Sequence, residues 1–152
     1  MKVHLRYTFL LATLFLAFHT FARQGNPIIA VSLPDETYNQ VKESIDDMVY
    51  WLNRATGEEF NVNRGGLGDI SLVATSASSI SSNLKKQLSK EGQTFYLKAG
   101  NYRSVVIVGS GANAIINGIY TFLHEMGFRW YMPGANWAIV PLGLKNKKLS
   151  IE

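Results

Sequence analysis

The chain has 152 residues, 47% of them hydrophobic and 17% charged, a length and balance that suit one folded domain and exclude a disordered chain. The formal charge of +4 shrinks to +2 once the first 22 residues, with Lys2 and Arg6, are set aside, and the remaining bases are scattered rather than striped, which excludes a nucleic-acid-tracking surface. There is no cysteine, so thiol catalysis, zinc–thiolate sites and iron–sulfur clusters are excluded, and a domain of this size can fold without disulfides, which fits bacterial export.

Residues 1–22 have the parts of a secretory signal: Lys2 and Arg6, an apolar run from Thr8 to Phe18, and the small-residue end Thr20-Phe21-Ala22. The run is too short to span a bilayer comfortably. The mature chain is therefore expected to be residues 23–152, exported to the periplasm, cell surface or medium, with no membrane span left after cleavage.

Pro27 to Leu33 is short, apolar and partly β-branched, and predicts a buried strand. Pro34-Asp35-Glu36 suits a helix start. Tyr38, Val41, Ile45, Met48, Val49 and Leu52 then recur at helical spacing, with Lys42, Glu43, Asp46 and Asp47 largely opposite, and Gly57 supplies a stop. Strands are expected over Glu59 to Val62 and Asp69 to Thr75, around the turn Asn63 to Gly68. A short helical segment falls near Leu84 to Leu88. Two further strands, Thr94 to Ala99 and Ser104 to Val108, flank Gly100-Asn101. Ile115, Ile119, Phe122, Leu123 and Met126 mark a second long helix, ended by Gly127. Phe128 to Met132 and Trp137 to Val140 are extended, separated by Pro133-Gly134. The order β-α-β-β-(α)-β-β-α-β-β predicts an α+β domain, a single mixed β-sheet with two long helices packed on one face.

The mature chain holds one histidine, His124, inside the second long helix, and no nucleophile elbow. Serine-type catalysis lacks a placed base, and a zinc site lacks ligands. The carboxylates fall as Asp35/Glu36, Asp46/Asp47 and Glu58/Glu59, or stand singly, in patterns that read as solvated helix surfaces and turns rather than as a pair across a cleft. No catalytic residue, metal ligand or cofactor is expected.

Gly109-Ser110-Gly111-Ala112-Asn113-Ala114 follows an apolar strand and opens a helix, as in dinucleotide folds. The acid that should follow about 20 residues later is absent from Phe128-Arg129-Trp130-Tyr131, so the preferred reading is a turn that lets a strand pass into a helix. Nucleotide binding through Gly109 to Ala114 stays as a remote alternative.

Gly118-Ile119-Tyr120-Thr121-Phe122-Leu123, then Met126 to Tyr131 and Pro133-Gly134, resembles the end of the N-terminal domain that precedes the catalytic barrel in α-glucuronidases and related secreted glycosidases; the same kind of domain precedes the barrel of β-N-acetylhexosaminidases. The leading Ile-Ile-Ala-Val strand, the helix end Leu52 to Gly57, Phe95-Tyr96-Leu97 and Val105 to Gly109 agree with that pattern in order, and the resemblance covers roughly residues 27–141. It implies a non-catalytic accessory domain that packs on a (β/α)8 barrel holding the acids. The chain ends about where the barrel should begin, so a truncated chain lacking its barrel is expected, and no catalytic residue is carried over. A free-standing module that binds a polysaccharide or oligosaccharide is the alternative. Trp130, Tyr131, Met132 and Trp137 are the candidate docking surface, with Arg129 available to a partner carboxylate; Tyr102, Trp130 and Trp137 are candidate stacking rings for a sugar.

Overall fold

The computed structural model describes residues 25–88, 94–130 and 138–151. The leader 1–22, with the signal it suggests, lies outside them, as do Tyr131, Met132 and Trp137.

The elements follow the expected order. Strand β1 (Ile28–Ser32) leads into helix α1 (Asp35–Thr56), then strands β2 (Asn61–Arg64) and β3 (Ile70–Ala74), the short helix α2 (Ser82–Leu88), and the hairpin β4 (Phe95–Asn101) and β5 (Ser104–Gly109). Helix α3 (Ala112–Met126), two-residue strands β6 (Arg129–Trp130) and β7 (Ala138–Ile139), and a 3-10 turn (Leu144–Asn146) complete the chain.

Five strands form one mixed sheet in the order β2-β1-β3-β5-β4, parallel except for β4. Ile29, Ile70 and Val105 stand in register across it, as do Val31, Leu72 and Ile107. Laterally paired residues share a face, so these six form one apolar surface, and all are buried. Helices α1 and α3 both pack on that surface and on each other, giving a two-layer α+β fold with both long helices on one side. The last two strands pair with each other instead of extending the sheet.

Helix α1 forms because Val41, Ile45, Met48 and Leu52 recur on one face, and all four are fully buried. Each contributes roughly 1.5–3 kcal/mol of burial free energy. Its end is built from its own sequence. The Gly57 N–H, in the left-handed region, donates to the Asn53 carbonyl at 2.8 Å, and the Asn53 side chain accepts the Phe60 N–H at 2.9 Å. Thr56 Oγ1 donates back to the Leu52 carbonyl at 2.7 Å and accepts the Glu58 N–H. The Asn-Arg-Ala-Thr-Gly run thus stops the helix and aims the chain at β2.

The opposite face of the sheet is only partly covered. The β2–β3 connection crosses β1 so closely that a Cβ at Gly68 would lie 2.6 Å from the Ile28 carbonyl oxygen and 2.9 Å from the Ala30 methyl. Ala30 is buried beneath that crossing, while Val106, on the same face further along, is exposed. At the far edge, Ile151 bridges Ala99 of β4, and the Leu149 N–H donates to the Gly100 carbonyl.

Candidate contact site

The sequence places several large rings near the chain end, and the structure shows where the described ones go. Strand β6 follows the Gly127 cap of α3, whose N–H bonds the Leu123 and His124 carbonyls. Ribbon pairing sets Trp130 opposite Ala138 and Arg129 opposite Ile139. Trp130 and Ala138 pack inward on the core. The Trp130 ring stacks on Phe128 at 6.1 Å and meets Trp51 and Tyr120 edge-on at 5.8 and 6.0 Å. Trp130 is half-buried, an anchor between the two long helices rather than a free platform.

Arg129 is likewise engaged. Its guanidinium donates to the His124 and Phe128 carbonyls, at the carbonyl-rich end of α3, where a cation is favoured. Through Nη1 it serves the domain's own helix end. Tyr102 corrects the sequence reading more sharply. It is 7% exposed, its ring meets Phe60 edge-on at 6.4 Å, and its hydroxyl donates to Glu58 Oε1 at 3.4 Å. The β4–β5 turn folds this ring inward, because a tyrosine buries apolar area and still satisfies its hydroxyl there. It offers no face to a sugar.

Around the half-buried Trp130 lies a mixed outer rim. Tyr50 is 49% exposed and stands edge-on to Trp51 at 4.9 Å, and the Arg54 guanidinium lies 5.8 Å from the centre of the Trp51 ring. Ile139, on the outer side of the ribbon, is also 49% exposed. Tyr120 donates its hydroxyl to Asp47 at 2.8 Å, tying α3 to α1; burial first, then that carboxylate, raises the phenol's pKa.

A second polar cluster was not legible in the sequence. Glu58, 19% exposed, receives Arg103 on Oε2 at 3.1 Å and Lys145 on Oε1 at 3.3 Å. Burial pushes its carboxyl pKa up, but the hydrogen bonds from Arg103 and Lys145 outweigh burial and leave it below the ordinary value. Burial also raises the Tyr102 phenol, and the Glu58 charge adds to it. The cluster joins the end of α1, the β4–β5 turn and the 3-10 turn. With both cations on one carboxylate, it is a clamp rather than an acid–base pair.

At Gly109 to Ala114, a Cβ on Gly109 would lie 2.8 Å from the Ile115 side chain and 2.9 Å from its amide nitrogen. The glycine lets α3 fold back onto the end of β5. The Ser110 N–H and hydroxyl both donate to the Thr94 carbonyl. This is the packing role expected of the turn. Among the described residues, no group of three His, Cys, Asp or Glu could hold a metal, and no helix is long and apolar enough to cross a membrane.

No family model matches the chain, and no curated protein does. Nine chains among solved structures match its fold. One is a family GH115 4-O-methyl-α-glucuronidase described as having specificity for decorated arabinogalactans; it shares 18% identity and a TM-score of 0.51, over 79% of this chain and 17% of that one. At that identity the likeness is one of fold, and the chain spans about a sixth of the glucuronidase.

Proposed function

We propose that this chain is a non-catalytic accessory domain of an exported, polysaccharide-degrading glycoside hydrolase of the α-glucuronidase kind, acting beside a (β/α)8 catalytic barrel. The observation that carries the reading is the fold shared with a glucuronidase over most of this chain but a small part of that enzyme. The ordered motifs of the α1 end and of the α3–β6 corner support it independently. Each has a structural task in the domain, as cap, helix-to-sheet contact or aromatic anchor, and none assembles reacting groups.

The docking surface under this reading is the outer rim of the aromatic corner: Ile139, Tyr50 and the free edge of Trp130. An apolar centre with a polar border of Arg54 and Asp47 has the make-up of a protein contact. Tyr131 and Trp137 belong to the same proposal by sequence position.

The test has two parts. The purified chain should hydrolyse neither glucuronate-decorated xylan nor decorated arabinogalactan, and turnover by the chain itself would overturn the non-catalytic reading. Tagged and recovered from its native host, it should carry along a hydrolase activity on such polysaccharides. Recovery without that activity would overturn the accessory role.

A further inference from the structure

Beside the aromatic corner, with which it shares Tyr120, the outer side of α3 forms a shallow hollow with the start of β4, lined by Phe95, Asn117, Tyr120, Thr121 and His124. Asn117, Tyr120, Thr121 and His124 are spaced i, i+3, i+4 and i+7, so they form one stripe of the helix. The stripe lies against Phe95 because Gly118 lets α3 approach the sheet. A Cβ there would sit 2.5 Å from Ile107 and 3.4 Å from the Phe95 ring.

Two features distinguish the hollow from ordinary helix surface. First, its apolar parts are fixed. The Tyr120 ring is held at one side by Trp130, edge-on at 6.0 Å, and at its tip by Asp47, while Phe95 is wedged beside Gly118. Rigid rings contribute contact area with little loss of side-chain freedom on binding. Second, its polar parts are uncharged or weakly basic. Asn117 offers an amide that both donates and accepts, Thr121 offers a hydroxyl, and His124 an imidazole; among the described residues no lysine, arginine or carboxylate lines it. Charged groups of both signs border the stripe: Asp47 on the Tyr120 hydroxyl, Glu125 beside His124, and the Arg129 guanidinium on the His124 carbonyl.

We infer that the Phe95–Asn117–Tyr120–Thr121–His124 hollow is a weak binding site for a neutral saccharide ring. The apolar C–H face of a pyranose packs on the two fixed rings, and its hydroxyls exchange hydrogen bonds with the Asn117 amide and the Thr121 hydroxyl. The described lining holds no fixed counter-charge for an ionised ligand, and the charges on its border are of both signs. The site therefore favours uncharged backbone sugars over the acidic decoration. It adjoins the docking rim through Tyr120 but is lined by none of the rim residues Ile139, Tyr50 and Trp130, and it does not depend on the accessory reading.

The test is titration of the isotope-labelled full chain by NMR with xylotetraose and galactotetraose, with glucuronic acid in parallel. Saturable shifts confined to the five lining residues are expected for a neutral oligosaccharide. Asn117→Ala, a helix-favourable change at an exposed position, should weaken that binding by about fivefold, the loss of one hydrogen bond, while the remaining spectrum is unchanged. The inference is overturned if neither neutral sugar gives saturable shifts, if the shifts survive both Asn117→Ala and Thr121→Val, or if glucuronic acid binds as well as the neutral sugars.

Discussion

Glu58 shows how a single side chain is given its role by what folds around it. Its carboxylate is pulled inward against a burial cost and kept ionised by Arg103 and Lys145. Removing the charge while keeping the shape leaves two cations facing an amide. Glu58→Gln is therefore expected to cost roughly 1–2 kcal/mol, read as a lower Tm at pH 7. Because the folded-state pKa is depressed, this stability is fully present above the ordinary value of 4.5 and is lost as pH falls through the lower folded value. The gap in Tm between wild type and Glu58→Gln should close on acidification; a gap that stays constant from pH 7 to pH 3 would show that charge is not what the clamp uses. Tyr120 offers a simpler case. Tyr120→Phe removes the hydroxyl that ties α3 to Asp47, and about 0.5–1.5 kcal/mol should be lost in chemical denaturation.

At the scale of elements, the contact between α3 and β5 is set by the absence of a side chain. Gly118 faces Ile107, and the cost of glycine inside a helix, up to about 1 kcal/mol, is accepted for that close approach. Gly118→Ala raises helix propensity yet puts a methyl 2.5 Å from the Ile107 side chain. Overpacking should win, with a net loss of about 1–3 kcal/mol by denaturant titration; a stabilised variant would mean that the layers are free to separate. The two long helices were legible in the sequence because burial repeats every three or four residues in Val41, Ile45, Met48 and Leu52, and again in Ile115, Ile119, Phe122 and Met126. The strands were legible as short apolar runs between glycine turns. Their pairing was not. Nothing local to Arg129-Trp130 says that its partner is Ala138-Ile139 rather than the edge of the main sheet. Tyr102 fails for the same reason: beside Gly100-Asn101 it reads as a turn residue, and only Phe60 and Glu58, more than 40 positions away, explain its burial. The Glu58 clamp is likewise a product of distant segments, so its members looked like solvated surface.

At the scale of the molecule, stability and contact are divided between the two sides of the β6–β7 ribbon. Trp130 faces inward and joins Trp51, Phe128 and Tyr120, so Trp130→Ala should lower stability by about 1–3 kcal/mol, less than for a fully buried indole, and flatten the near-UV dichroism of the packed rings. Such a loss would not separate packing from docking. Ile139 does, because it is half-exposed and its neighbour across the ribbon, Arg129, is occupied with the end of α3. Ile139→Ser should leave stability within about 0.5 kcal/mol of wild type. If the outer rim meets a catalytic barrel, the same change removes apolar area from the contact and should lower the hydrolase activity recovered with the tagged chain roughly tenfold. Unchanged recovery with Ile139→Ser would move the contact off this rim. The exposed side of the sheet around Val106 would then be the next surface to test, since there the fold leaves an apolar strand residue uncovered.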